Sequence, residues 1–174
     1  MAFVMTKETD VVDVQVEIDG EVAFTLKVGV IPNEIGDRIA ELMTKNIDLV
    51  KAQVADDQDA IAAALVDSVE CINESTRLYI KYGIRGLDGP EYADGSPVRC
   101  TVIKEPKTGF DILDEETMRM FLNNKTLLSL STANVADITR IGVGVFKKEG
   151  YKTTDEAKAA QVPLAPSLAQ SSKG

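Results

Sequence analysis

The residues able to do chemistry in this chain are its carboxylates. Asp56, Asp57 and Asp59 form one group and Asp88, Glu91 and Asp94 another, and either is of a type that binds a divalent cation. Neither follows the calcium-loop spacing with its terminal glutamate. The first group reads as a helix cap and the second as a solvated turn. Asp114-Glu115-Glu116 mimics a carboxylate pair for acid–base work, but neighbouring helix positions point in different directions. Helix-start electrostatics account for these three better. The chain has no histidine, which removes histidine-activated nucleophiles and histidine-containing metal sites. Two cysteines, Cys71 and Cys100, exclude a four-cysteine zinc site and a disulfide framework, and both read as small buried hydrophobes. There is no phosphate-binding loop. Gly142-Val143-Gly144 is only the first half of a dinucleotide fingerprint and reads as backbone flexibility. The residues therefore predict no catalytic group, no cofactor and no metal, with a small metal-dependent enzyme using carboxylates as one alternative.

The elements that carry these residues follow from periodicity. Val12, Val14 and Val16 alternate with polar residues, as do Val22, Phe24, Leu26 and Val28, which predicts a β-hairpin over residues 11–28. A three-residue loop, Ile18-Asp19-Gly20, pairs Val16 with Val22, Val14 with Phe24 and Val12 with Leu26, keeping both apolar sets on one face. Pro32-Asn33-Glu34 opens a helix with Ile35, Ile39, Leu42, Met43 and Ile47 at helical spacing. Asp56-Asp57 caps a second helix whose buried face is Ile61, Leu65, Val69 and Ile72, and the two helices form an antiparallel pair. Leu78–Ile84 is β-branched and aromatic and reads as a strand, as do the alternating Val98, Cys100 and Val102, with an irregular loop over 86–97 between them. Asp114 caps a helix burying Met118, Phe121 and Leu122, and Thr132 caps a last helix carrying Val135, Ile138 and Ile141. The expected fold is α+β: an N-terminal hairpin, a helix pair, short strands and C-terminal helices in one domain over 1–146. Residues 147–174, rich in Ala, Lys, Ser, Gln and Pro, read as a flexible tail.

Composition sets the class of partner. The formal net charge is −9, and the tail stretch holds five basic and three acidic residues, so the part before it carries −11. Such a surface repels phosphate backbones and anionic membranes, which predicts neither nucleic-acid nor membrane binding. No apolar run approaches the ~20 residues that span a bilayer. The first residues, Met1-Ala2-Phe3-Val4-Met5-Thr6-Lys7-Glu8, show no basic region followed by a long apolar stretch, so no secretory signal is expected. What remains is a protein that works by binding other proteins. Met43 and Ile47, at the margin of one helix stripe, and Met120, off the stripe of another, are the candidate partner-binding residues. Self-association is left open.

The order of segments carries a resemblance. A strand at 22–28 leads into a helix beginning Pro32-Asn33-Glu34-Ile35, and a second helix from Ala60 to Ser75 is followed by Tyr82-Gly83-Ile84-Arg85-Gly86-Leu87. Then come Asp94-Gly95-Ser96-Pro97-Val98 and Ile112-Leu113-Asp114-Glu115-Glu116-Thr117. This order, covering residues 22–141, resembles that of the tail assembly chaperones of long-tailed bacteriophages, small acidic proteins that are not retained in the virion. The resemblance implies a non-enzymatic protein of the host cytoplasm that holds the tape measure protein soluble and helps recruit tail tube subunits. It carries no catalytic residue to this chain. The hairpin is more pronounced than in that family, which keeps a virion structural component, in the neck, tail or capsid decoration, as the alternative.

Overall fold

A computed structural model describes residues 4–55 and 58–160, with the side chains of 46–52, 54 and 55 not described. The fold is α+β. The hairpin comprises β1 (Val11–Ile18) and β2 (Glu21–Gly29). Its turn has two residues, not three. Asp19 and Gly20 have φ of 54° and 83°, the pair of positive values that a tight turn matched to strand twist requires. The observed register is Val16 opposite Phe24, Val14 opposite Leu26 and Val12 opposite Val28, with Glu17 opposite Val22. The expected pairing is therefore corrected. Ala23 is a bulge that absorbs the one-residue mismatch a two-residue turn creates, so both apolar sets still reach the core, while Val22 is left half-exposed.

Two helices follow, α1 (Asn33–Ala55) and α2 (Gln58–Gly83). Arg38 near the start of α1 is 3.0 Å from Glu74 near the end of α2, so the pair is antiparallel. The expected cap at Asp56-Asp57 lies outside the described residues. The strand expected at Leu78–Ile84 is helix as far as Gly83. Ile80 and Tyr82 are buried as helical residues, and their β propensity yields to this packing. The chain then forms β3 (Ile84–Asp88), which pairs with β2 to complete the sheet order β1-β2-β3. Arg85 is the bulged residue of β3, and its guanidinium donates to the carbonyls of Tyr82, Ile84 and Val30. That contact ties the end of α2 to the end of β2.

Beyond an irregular stretch, β4 (Val102–Lys104) and β5 (Asp111–Leu113) make a second small hairpin. Val98 is buried but lies outside a strand, its N–H donating to the carbonyl of Pro90, so the expected strand over 98–102 begins only at its last residue. Asp114 caps α3 (Glu115–Asn123) through Oδ1, 2.8 Å from the N–H of Thr117. Asn124 Oδ1 does the same for α4 (Lys125–Ile141), 3.0 Å from the N–H of Leu127. The last helix of the expected body thus starts at Lys125, and Thr132 sits inside it, bonding back to the carbonyl of Leu128. Helix α5 (Val143–Glu149) and helix α6 (Thr154–Ala160) complete the described chain.

One hydrophobic cluster gathers Val14, Leu26 and Val28 of the sheet, Phe121, Val135 and Ile138 of α3 and α4, Phe146 of α5 and Ala157 of α6. The boundary expected at residue 146 is therefore corrected: residues 147–160 pack on the body. Lys147 Nζ reaches Asp10 Oδ1 at 3.0 Å, and the N–H of Gln15 on the β1 edge donates to the carbonyl of Lys152. Thr154 bonds Asn134 of α4, and Lys158 bonds Asp137 at 2.5 Å. The low apolar content that suggested a tail is sufficient here, because small Ala157 docks with no exposed surface and polar groups supply the remaining contacts. Residues 161–174 of the expected tail lie outside the described residues. Gly144 is likewise a packing residue. A Cβ there would lie 2.6 Å from Thr6 Oγ1, which accepts the Gly144 N–H.

Candidate protein-binding surface

Several of the groups with chemical potential are engaged structurally. Asp88 Oδ2 lies 3.1 Å from Lys27 Nζ, and Asp94 Oδ1 accepts from both the N–H and the hydroxyl of Ser96. Asp114 is a helix cap, and the bond from Thr117 holds its carboxyl below the usual range. Among the described residues no three of His, Cys, Asp or Glu converge in a way that could hold a metal ion. Cys71 is buried, and burial pushes the half-buried Cys100 thiol up to about 12, so it stays protonated and unreactive at neutral pH. The densest polar cluster joins α2 to the second hairpin. Glu105 Oε1 is 2.8 Å from Lys81 Nζ, both Glu105 oxygens are 3.2 Å from the Tyr82 hydroxyl, and Oε2 is 2.6 Å from Thr108 Oγ1. The bond from Lys81, followed by that from Thr108, holds the Glu105 carboxyl below its ordinary value. All four groups satisfy one another, which fastens the β4–β5 turn to α2.

The surface of α2 is different. Between Gln58 and Thr76 its buried residues are Ser68, Cys71 and Ser75, which with the half-buried Ala64 make a row of small residues at 4-3-4 spacing. Small side chains let a neighbouring backbone approach closely, and α1 is the helix packed along α2. That choice of seam turns the large side chains outward. Leu65 is 46% exposed, Val66 68%, Val69 57% and Ile72 48%. Of the expected buried face Ile61, Leu65, Val69 and Ile72, Ile61 is half-buried, and the other three form instead an exposed apolar strip at i, i+4, i+7. The 64-68-71-75 row was the sequence signal for the true seam. Along the strip every charged residue from Gln58 to Thr76 is acidic: Asp59, Asp67, Glu70 and Glu74.

The three residues expected to bind a partner are not brought together. Met43 projects from α1 and is half-exposed. The Ile47 side chain lies outside those described. Met120 is half-buried on α3 and lines a separate groove of about 510 Å³ with Ile18, Phe24, Tyr92, Leu127 and Leu130. No helix among the described residues is long and apolar enough to cross a membrane. No protein-family model, no curated protein and no solved structure matches this chain.

Proposed function

We propose that this chain acts by binding another protein without chemical turnover, as a tail assembly chaperone of a long-tailed phage. In this role it holds the tape measure protein soluble in the host cytoplasm and brings tail tube subunits to it. The observation that supports the reading is the exposed strip Leu65–Val69–Ile72 with Val66 on the part of α2 before Arg77, where every charged residue is acidic. A chaperone needs apolar surface to hold sticky segments, charge around it to resist co-aggregation, and contacts weak enough to release. The exposed fractions of the four side chains amount to about two whole residues, so covering them is worth roughly 3–6 kcal/mol. Association itself costs roughly 4–15 kcal/mol, so the strip alone gives reversible binding, and a stable hold requires further contacts on the partner. The assignment to phage tails rests on the resemblance of residues 22–141.

Co-expression with the tape measure protein of the same phage, the partner proposed for it, tests this. The expected result is that the tape measure protein is soluble only when this chain is present and is recovered with it in a pull-down. Equal solubility with and without this chain, and no recovered complex, refutes the reading. Recovery of the chain in stoichiometric amounts from mature virions also refutes it, in favour of a structural component.

A further inference from the structure

Resting on the reading of this chain as a protein binder, we infer that the α2 strip takes an amphipathic helix whose apolar stripe is flanked by lysine or arginine. The argument is charge complementarity. Asp59, Val66 and Glu70 fall at i, i+7 and i+11, so carboxylates continue the edge of the strip along the helix, and Asp67 stands behind them, while Glu74 is paired with Arg38 of α1. No basic residue of α2 itself interrupts this edge before Arg77. A helix laid on Leu65, Val69 and Ile72 must therefore set its own flank against a line of carboxylates. A basic flank is attracted there and an acidic one repelled. Like-charge contact selects against wrong partners as strongly as attraction selects the right one.

The same edge argues against a second copy of this chain as the occupant. An antiparallel pair of α2 helices related by a two-fold axis brings the acidic edge of one against the acidic edge of the other. Each chain also carries a net charge of −9, which adds repulsion at longer range.

The test uses the full chain and two designed peptides of roughly 20 residues, long enough to fold on binding. Both carry leucine at i, i+3, i+4 and i+7; one is flanked by lysine and the other by glutamate. Fluorescence anisotropy is read at low and high salt. The lysine peptide is expected to bind about tenfold or more tightly at low salt, with the ratio narrowing as salt screens the edge. The Leu65→Asp/Val69→Asp variant should lose binding of the lysine peptide. The Asp67→Asn/Glu70→Gln variant should keep binding and lose most of the salt dependence. Equal affinity of the two peptides overturns the inference while leaving the protein-binding reading intact, which stands or falls on co-expression. Unchanged binding by Leu65→Asp/Val69→Asp overturns the placement on α2. Sedimentation showing a dimer that this variant dissociates overturns it in favour of a second copy.

Discussion

Replacing Gly83 by alanine places a methyl group inside van der Waals contact of Val135 Cγ1 and 3.5 Å from Ile31 Cδ1. Gly83 ends α2 where the chain turns into β3, and Val135 is a core residue of α4 with no exposed surface. Val135 has no open space to move into, so the methyl must be accommodated by a rotamer change or a shift of α2 against α4. Overpacking of this kind costs about 1–3 kcal/mol. The gain from replacing a helical glycine by alanine is about 0.5–1 kcal/mol, so a net loss of roughly 1–2 kcal/mol is expected. Val135→Ala alone removes two buried methyl groups and should cost roughly 2–3 kcal/mol. In the Gly83→Ala/Val135→Ala double variant the new methyl occupies part of that cavity. Its cost should fall short of the sum of the two singles by about 1 kcal/mol or more. Urea unfolding followed by circular dichroism measures all three, with the slope checked for constancy. Wild-type stability of Gly83→Ala, or strict additivity in the double variant, refutes the packing argument.

Further outcomes follow from other contacts. Truncation after Phe146 should lower the unfolding midpoint clearly, because it removes the buried Ala157, the Lys147–Asp10 pair and the Lys152 contact on the β1 edge; an unchanged melt contradicts the packing of residues 147–160. Glu105→Gln should destabilise at pH 7. The Glu105 carboxyl is held below its ordinary value of 4.5 in the folded state, so its contribution is present above that value and lost as pH falls through the depressed one; the gap between variant and wild type should close in acid, and a gap that persists there contradicts the ionic account. Ser131→Ala should be neutral or slightly stabilising, since the Ser131 Oγ is buried without a hydrogen-bond partner. Thr117→Val, by contrast, removes the acceptor of the Thr101 N–H and should cost about 1–2 kcal/mol in the same unfolding assay.

The sequence carried the position of the N-terminal hairpin, the start of α1, the Asp114 cap and the burial of Phe121, because each rests on local alternation, helical spacing or capping chemistry. The hairpin register was not legible. Alternation fits either a longer loop or a tight turn with a bulge, and only packing of Phe24 against the core decides that Ala23 is the extra residue. The strip on α2 has the pattern of a core face because large apolar residues at helical spacing normally form one. Here the buried positions of this part of α2 are the small Ser68, Cys71 and Ser75, with Ala64 half-buried. The packing of residues 147–160 is not legible in the sequence for a related reason. Their anchoring depends on Ala157 and on polar contacts with Asp10, Asn134 and Asp137, partners distant in sequence. Met43 remains exposed as expected of a binding residue, but Met120 belongs to a different groove, so the expected site divides between two surfaces.

The most direct test of protein binding through the α2 strip is co-expression of the tape measure protein with the Leu65→Asp/Val69→Asp variant. Both residues are about half exposed, so losing the buried half of each and placing aspartate inside a helix should cost roughly 2–3 kcal/mol, and circular dichroism checks that the variant still folds. A variant that folds normally but leaves the tape measure protein insoluble is the predicted result. A variant that folds normally and solubilises it as well as wild type contradicts the claim.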